Sequence, residues 1–136
     1  MTYQQDLDRA QRHYEDNQFE QALALFRVLE PDMDSFDAPQ QAKYAYYRGM
    51  TDYRLAGLAA PGSTVSDPRK GFRNNARHWL AVSIAISQQT PGGLTDDQKQ
   101  RATEALAELN KDFYTGAEAS PEGAPKPASE ADGGAP

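Results

Sequence analysis

The residues able to do chemistry in this chain are few and widely separated. Its two histidines, His13 and His78, stand on different stretches, and there is no cysteine anywhere in the 136 residues. A thiolate nucleophile, a disulfide framework and a Cys-containing metal cluster are therefore all excluded. Asp32, Asp34 and Asp37 have an acidic spacing that invites calcium. A calcium loop, however, needs glycine at its sixth place and a bidentate Glu at its twelfth, and neither is present. Pro91-Gly92-Gly93-Leu94 offers two glycines without the following Lys and Ser of a phosphate-cradling loop, so it reads as a helix stop. The expectation is a protein that is not an enzyme and uses no cofactor and no metal.

Charge carries more information. The net charge is −6, and acids are spread along the chain, which disfavours a nucleic-acid partner held by counterion release. The exception is the stretch from Pro68 to Thr95, which holds no acid but contains Arg69, Lys70, Arg73 and Arg77, with His78 beside them. This basic patch could receive an acidic partner, a phosphate, or the protein's own acidic segments. The N-terminus has neither a basic start nor an apolar run, and nothing approaches the roughly 18 apolar residues of a membrane span. A cytoplasmic protein with no membrane span is expected.

The elements that must position these residues are helices. Tyr3, Leu7, Ala10 and Tyr14 recur at steps of four, three and four, on one side of a 3.6-residue helix. Asn17 suits a left-handed turn, and Phe19, Ala22, Leu23, Phe26 and Leu29 make a second apolar face that ends at Pro31. Two such helices joined by so short a turn pack antiparallel. Pro31 to Pro39 is a connection in which Ser35 or Asp37 caps the helix that follows, about 40–56. A long loop, 57–71, precedes a fourth helix over 72–89, whose wide apolar arc of Phe72, Ala76, Trp79, Leu80, Ile84 and Ile86 places it in the middle of the stack. A fifth helix begins at Thr95 or Asp96 and carries Ala102, Leu106, Leu109 and Phe113 on one face. Beyond it, 115–136 is an acidic tail rich in Ala, Pro and Gly that cannot offset its ordering entropy and is expected to be disordered. The helical domain is thus 1–114.

Ala10, Ala22, Phe26 and Pro31, with Phe19 at the turn, resemble the tetratricopeptide repeat, a 34-residue helical hairpin in which small residues allow two helices to cross closely. The run Ala45 to Ala56, with Gly49, Tyr53 and Leu55, strengthens the resemblance. The 27-residue step from Gly49 to Ala76 departs from it: either a loop decorates the second unit or its helices pair otherwise.

The resemblance implies an all-α fold of about five helices, antiparallel hairpins stacked as a short solenoid with a C-terminal capping helix. It implies a non-enzymatic interaction module, an adaptor or assembly factor, that binds another protein or a peptide segment in a Tyr-rich groove. The groove positions it maps onto this chain include Gln11, Tyr14, Lys43, Tyr46, Met50, Tyr53 and Arg54. Tyr46 and Tyr53 could instead be core residues. Leu7 and Gln11 stand where carboxylate-clamping members carry Lys and Asn, so an extended or helical peptide fits better than a C-terminal carboxylate. A secretion-type chaperone, or a structural subunit of a larger assembly or homo-oligomer, is the alternative.

Overall fold

Local chemistry sets where each helix starts and stops. A computed structural model of the protein describes residues 3–59 and 67–115. The segment 60–66 and the tail 116–136, for which disorder is expected, lie outside the described residues. There are five α-helices: α1 (Tyr3–Glu15), α2 (Phe19–Leu29), α3 (Ala38–Leu58), α4 (Pro68–Gln89) and α5 (Asp96–Thr115). No strand occurs among the described residues, and the protein is all-α.

Helix α1 closes on Asn17, whose φ of 62° is left-handed. The Gln18 N–H then bonds the His13 carbonyl at 2.8 Å, and the Asn17 N–H bonds that of Tyr14 at 3.0 Å. This pair of bonds uses up carbonyls that the helix end would otherwise leave open. The chain reverses, and α2 packs back on α1 through Leu7, Ala10, Ala22 and Phe26, all nearly or wholly buried. Pro31 then tightens the end of α2 into a short 3₁₀ helix, Glu30–Ser35.

Asp37 caps α3. Its carboxylate accepts the Gln40 N–H at 2.8 Å, and the Gln40 side chain returns a bond to the Asp37 N–H at 3.0 Å. Asp37→Ala is expected to lower stability by about 1 kcal/mol, read as a shift in the urea midpoint with an unchanged slope. Thr95 and Gln98 form the same reciprocal pair at the start of α5, with both bonds at 3.0 Å.

Helices α3 and α4 are longer than the spacing suggested. Helix α3 runs on to Leu58, and α4 begins at Pro68 because Asp67 accepts the Arg69 N–H and proline suits the first helical position. The loop expected over 57–71 is therefore helical at both ends. At 21 and 22 residues the two helices are each about 31–33 Å long and form an antiparallel pair. Their direction follows from two contacts: Gly49 lies against Leu80, while Pro39 and Ala42, a helix start away, lie against Gly93. Small residues permit both approaches. A Cβ on Gly49 would sit 2.8 Å from Leu80 Cγ, and one on Gly93 would sit 2.7 Å from Ala42 Cβ.

The central helix is α3, not α4 as the wide apolar arc suggested. Every residue from Tyr44 to Asp52 is buried, whereas α4 buries Ala76, Leu80, Ser83 and Ser87 along one stripe. Hydropathy misleads here because α3 buries polar side chains, several of which find partners inside the protein. The Tyr44 hydroxyl donates to the Phe26 carbonyl at 2.8 Å, and Thr51 Oγ1 donates to the Tyr47 carbonyl at 2.6 Å. The residues 1–106 make one compact unit. Helix α5 runs from it into a second unit that begins at Ala107, of which the helical residues to Thr115 are described.

Candidate functional site

The Tyr-bearing face of α1 and α3 is largely occupied by the chain itself. Tyr46 is 2% exposed and Met50 8%, so neither has surface to offer a partner. The first turns of α5 lie here: Gln98 donates to the Tyr47 hydroxyl at 2.9 Å, and the Arg101 guanidinium partly offsets the upward push of burial on the Tyr46 hydroxyl. Burial pushes the Tyr44 and Tyr47 hydroxyls up to about 12, so both stay protonated and serve as donors and acceptors in the core. Of the other positions on this face, Gln11, Tyr14, Lys43 and Tyr53 are half-buried and Arg54 is exposed. Arg54 lies 5.6 Å over the Phe19 ring, and its charge partly offsets the upward push of burial on the Tyr14 hydroxyl.

The basic stretch is spread out and partly neutralised. Arg69 grips the carboxylate of Asp67 with two bonds, at 3.2 and 2.9 Å. Arg77 donates to Asn74 at 2.9 Å, and both Arg73 and Arg77 are half-buried and engaged within the chain. Lys70 is exposed. His13 Nδ1 lies 2.7 Å from the Gln18 side-chain oxygen, and His78 packs edge-on against Trp79 with ring centroids 4.9 Å apart. Among the described residues no group of three or more His, Asp or Glu is placed to hold a metal ion.

Two features stand out that spacing alone did not single out. One is an open groove of about 650 Å³ where α2 meets the end of α3 and the beginning of α4. Phe19, Leu23, Leu55, Leu58 and Phe72 supply its apolar surface and Arg27 a charged edge. Phe19, Leu23 and Leu55 are themselves a buried cluster with Tyr14 and Phe72 against it, so the floor is rigid core. Leu58, by contrast, is 70% exposed at the last turn of α3. The available signal was that the apolar pattern of α3 runs on from Leu55 to Leu58, three residues further.

The other is a buried ionic network. Asp52 is fully buried, 3.7 Å from Arg48 Nε, and neither carboxylate oxygen accepts a hydrogen bond. Arg48 in turn bonds Glu30 at 2.7 Å and the Tyr44 hydroxyl at 2.9 Å, and lies 5.0 Å over the Trp79 ring. Burial raises Asp52 to about 6 although Arg48 and Arg27 pull it down. The network ties α3 to the end of α2 through Glu30 and to α4 through Trp79. An i, i+4 Arg and Asp pair in a tyrosine-rich helix was the trace it left in the sequence.

Together these features define an all-helical protein built on a buried central helix, with an apolar groove large enough for a ligand or a partner's side chains. No family model, curated protein or solved structure matches the chain. No described helix is long and apolar enough to cross a membrane.

Proposed function

We propose that this protein is a non-enzymatic helical interaction module, an adaptor or assembly factor, that docks a segment of another protein. The observation that carries this reading is the open groove at the junction of α2, α3 and α4, where an exposed Leu58 borders a preformed apolar floor. A rigid floor lowers the ordering cost of binding, and an accessible aliphatic rim adds area that only an incoming chain would cover. The docking surface in this reading differs from the tyrosine face, since Tyr46 and Met50 are already covered.

A tetratricopeptide-like ancestry belongs to the same proposal. Ala10 and Ala22 are fully buried at the α1 and α2 crossing, in keeping with that unit's small residues. Against a simple repeat, α3 and α4 together outlast a 34-residue unit.

Leu58→Asp tests the groove, because a charge at so exposed a position leaves the core intact. Affinity capture from source-cell lysate is expected to recover at least about tenfold less of the specific partner with this variant than with the wild type, a loss of about 1.4 kcal/mol or more. Equal recovery of every protein by both would remove the groove as the docking surface.

A further inference from the structure

The outward side of α2 differs from that of the helix it packs on. Helix α1 turns Arg9, Arg12 and Glu15 to the surface, whereas the exposed residues of α2 are Glu20, Gln21, Ala24, Arg27 and Val28. One acid and one base flank small and apolar positions, and Val28 is 68% exposed. The two charges stand seven residues apart, within about 20° of two full helical turns, so they share one line along the helix about 10 Å from each other. Neither belongs to an ion pair among the described residues, and the electrostatic neighbour of Arg27, Asp52, is fully buried. Ala24 lies between them, four residues from Glu20 and three from Arg27, and therefore on the same side. Its small side chain leaves room for another helix to approach closely.

An acid and a base in this order on one helix are complementary to the same helix running the other way. A two-fold axis beside Ala24 sets Glu20 of one copy against Arg27 of the other, and symmetry then supplies the second pair without any further residue. Parallel alignment would oppose like charges, so the order of the two residues selects the antiparallel one. The two charges sum to zero, which favours a copy of this surface over a strongly acidic or basic partner. We propose that the protein forms a two-fold homodimer across antiparallel α2 helices, with Ala24 at the crossing and a Glu20 to Arg27 pair at each end. Val28, a turn beyond Ala24, adds apolar surface beside the contact. This goes beyond the docking of another protein's segment. Glu20, Ala24 and Arg27 also line the groove, so a second copy and a partner segment seated there exclude each other.

Sedimentation velocity of the full chain over a concentration series tests the assignment. The wild type is expected to pass from one chain mass to twice that mass as concentration rises. Glu20→Arg and Arg27→Glu each oppose like charges at both ends of the contact, and each is expected to weaken self-association at least about tenfold. The double variant restores both pairs with their signs exchanged, and its dimer is expected to return to within about threefold of the wild type. A role confined to one chain predicts the reverse order. Glu20 in the first turn and Arg27 in the last both suit the helix macrodipole, so without a dimer the double variant would only be the least stable of the three. Thermal melts separate that effect from association, and all three substitutions are at exposed positions that leave the core in place.

A wild type that stays monomeric at every concentration would overturn the dimer, as would single variants that pair as tightly as the wild type, or a double variant no tighter than the singles. A monomer would leave the lysate result with Leu58→Asp untouched. Conversely, a dimer that obeys the charge exchange would stand even if that lysate result removed the docking reading.

Discussion

Arg48→Ala is expected to cost about 3–5 kcal/mol at pH 8 and distinctly less at pH 5. At pH 8 the variant leaves the Asp52 carboxylate charged, fully buried and without its cation at 3.7 Å. It also removes the bonds to Glu30 and Tyr44 and the packing over Trp79. At lower pH Asp52 takes up a proton, and the penalty of an unpaired charge disappears. Urea denaturation at the two pH values measures the difference; an equal loss at both would mean that Asp52 is not the group responsible.

Asp52→Asn has the opposite sign. Burial raises the folded-state value of Asp52 from 3.8 to about 6, so between those values the folded protein holds a proton that the unfolded chain has released. Stability from this group is therefore greatest below the unfolded value, falls as pH rises through the window, and levels off above about 6. A shift of about two pH units corresponds to roughly 3 kcal/mol at most. The neutral amide is expected to be more stable than the carboxylate at pH 8 by up to about that amount, and level with it below about pH 4. The difference between the two stability-versus-pH curves isolates this group from the surface carboxylates. An Asn variant weaker than the wild type at pH 8 and level with it at low pH would show that the wild-type carboxylate is ionised and well paired.

Gly49→Ala is expected to destabilise the protein by about 1–2 kcal/mol, even though alanine is the better helix former by about 1 kcal/mol. The added Cβ would meet Leu80 Cγ at 2.8 Å, Cδ2 at 2.9 Å and the Leu80 backbone nitrogen at 3.0 Å. The side-chain atoms could shift only into filled core, since Leu80 is fully buried, and the backbone atom could shift only by moving α4. Leu80→Ala alone is expected to cost about 2–5 kcal/mol through the cavity it leaves. In that background Gly49→Ala loses two of its three clashes and should be close to neutral, giving a coupling of at least about 1 kcal/mol in a double-mutant cycle. Additive losses would mean that α3 and α4 do not cross at these two residues.

The limits of the helices were legible because they depend on neighbours in the chain. Asn17, Asp37 and Thr95 act within a few residues of themselves, and each takes the turn or capping role that its type and position suggested. Asp67-Pro68 is the same kind of signal, and it starts α4 about a turn before the expected residue 72. Gly49 was legible too: a glycine tolerated inside a helix needs a reason, and close approach by Leu80 supplies it.

Which faces are covered was not legible. Tyr46 and Tyr53 have the same side chain and lie two turns apart on α3, yet Tyr46 is buried and Tyr53 half-exposed. What covers each comes from distant parts of the chain: Gln98 of α5, 51 positions away, reaches the hydroxyl of neighbouring Tyr47. The groove has the same origin. Phe19, Leu55 and Phe72 are ordinary apolar positions on three different helices, and only their packing leaves a space between them.

By itself, then, the sequence determined an all-helical chain without cysteine chemistry, its turns and caps, and the small residues at which helices can approach. Those properties are encoded over one or two helical turns, where backbone hydrogen bonding and side-chain size act directly. The tertiary structure alone decided that α3 is the buried centre, that Asp52 and Arg48 share a desolvated pair, and that the open apolar surface lies between α2 and the α3 and α4 ends. Burial and desolvation depend on what arrives from distant parts of the chain, and a helical pattern records which residues share a face without recording what covers it.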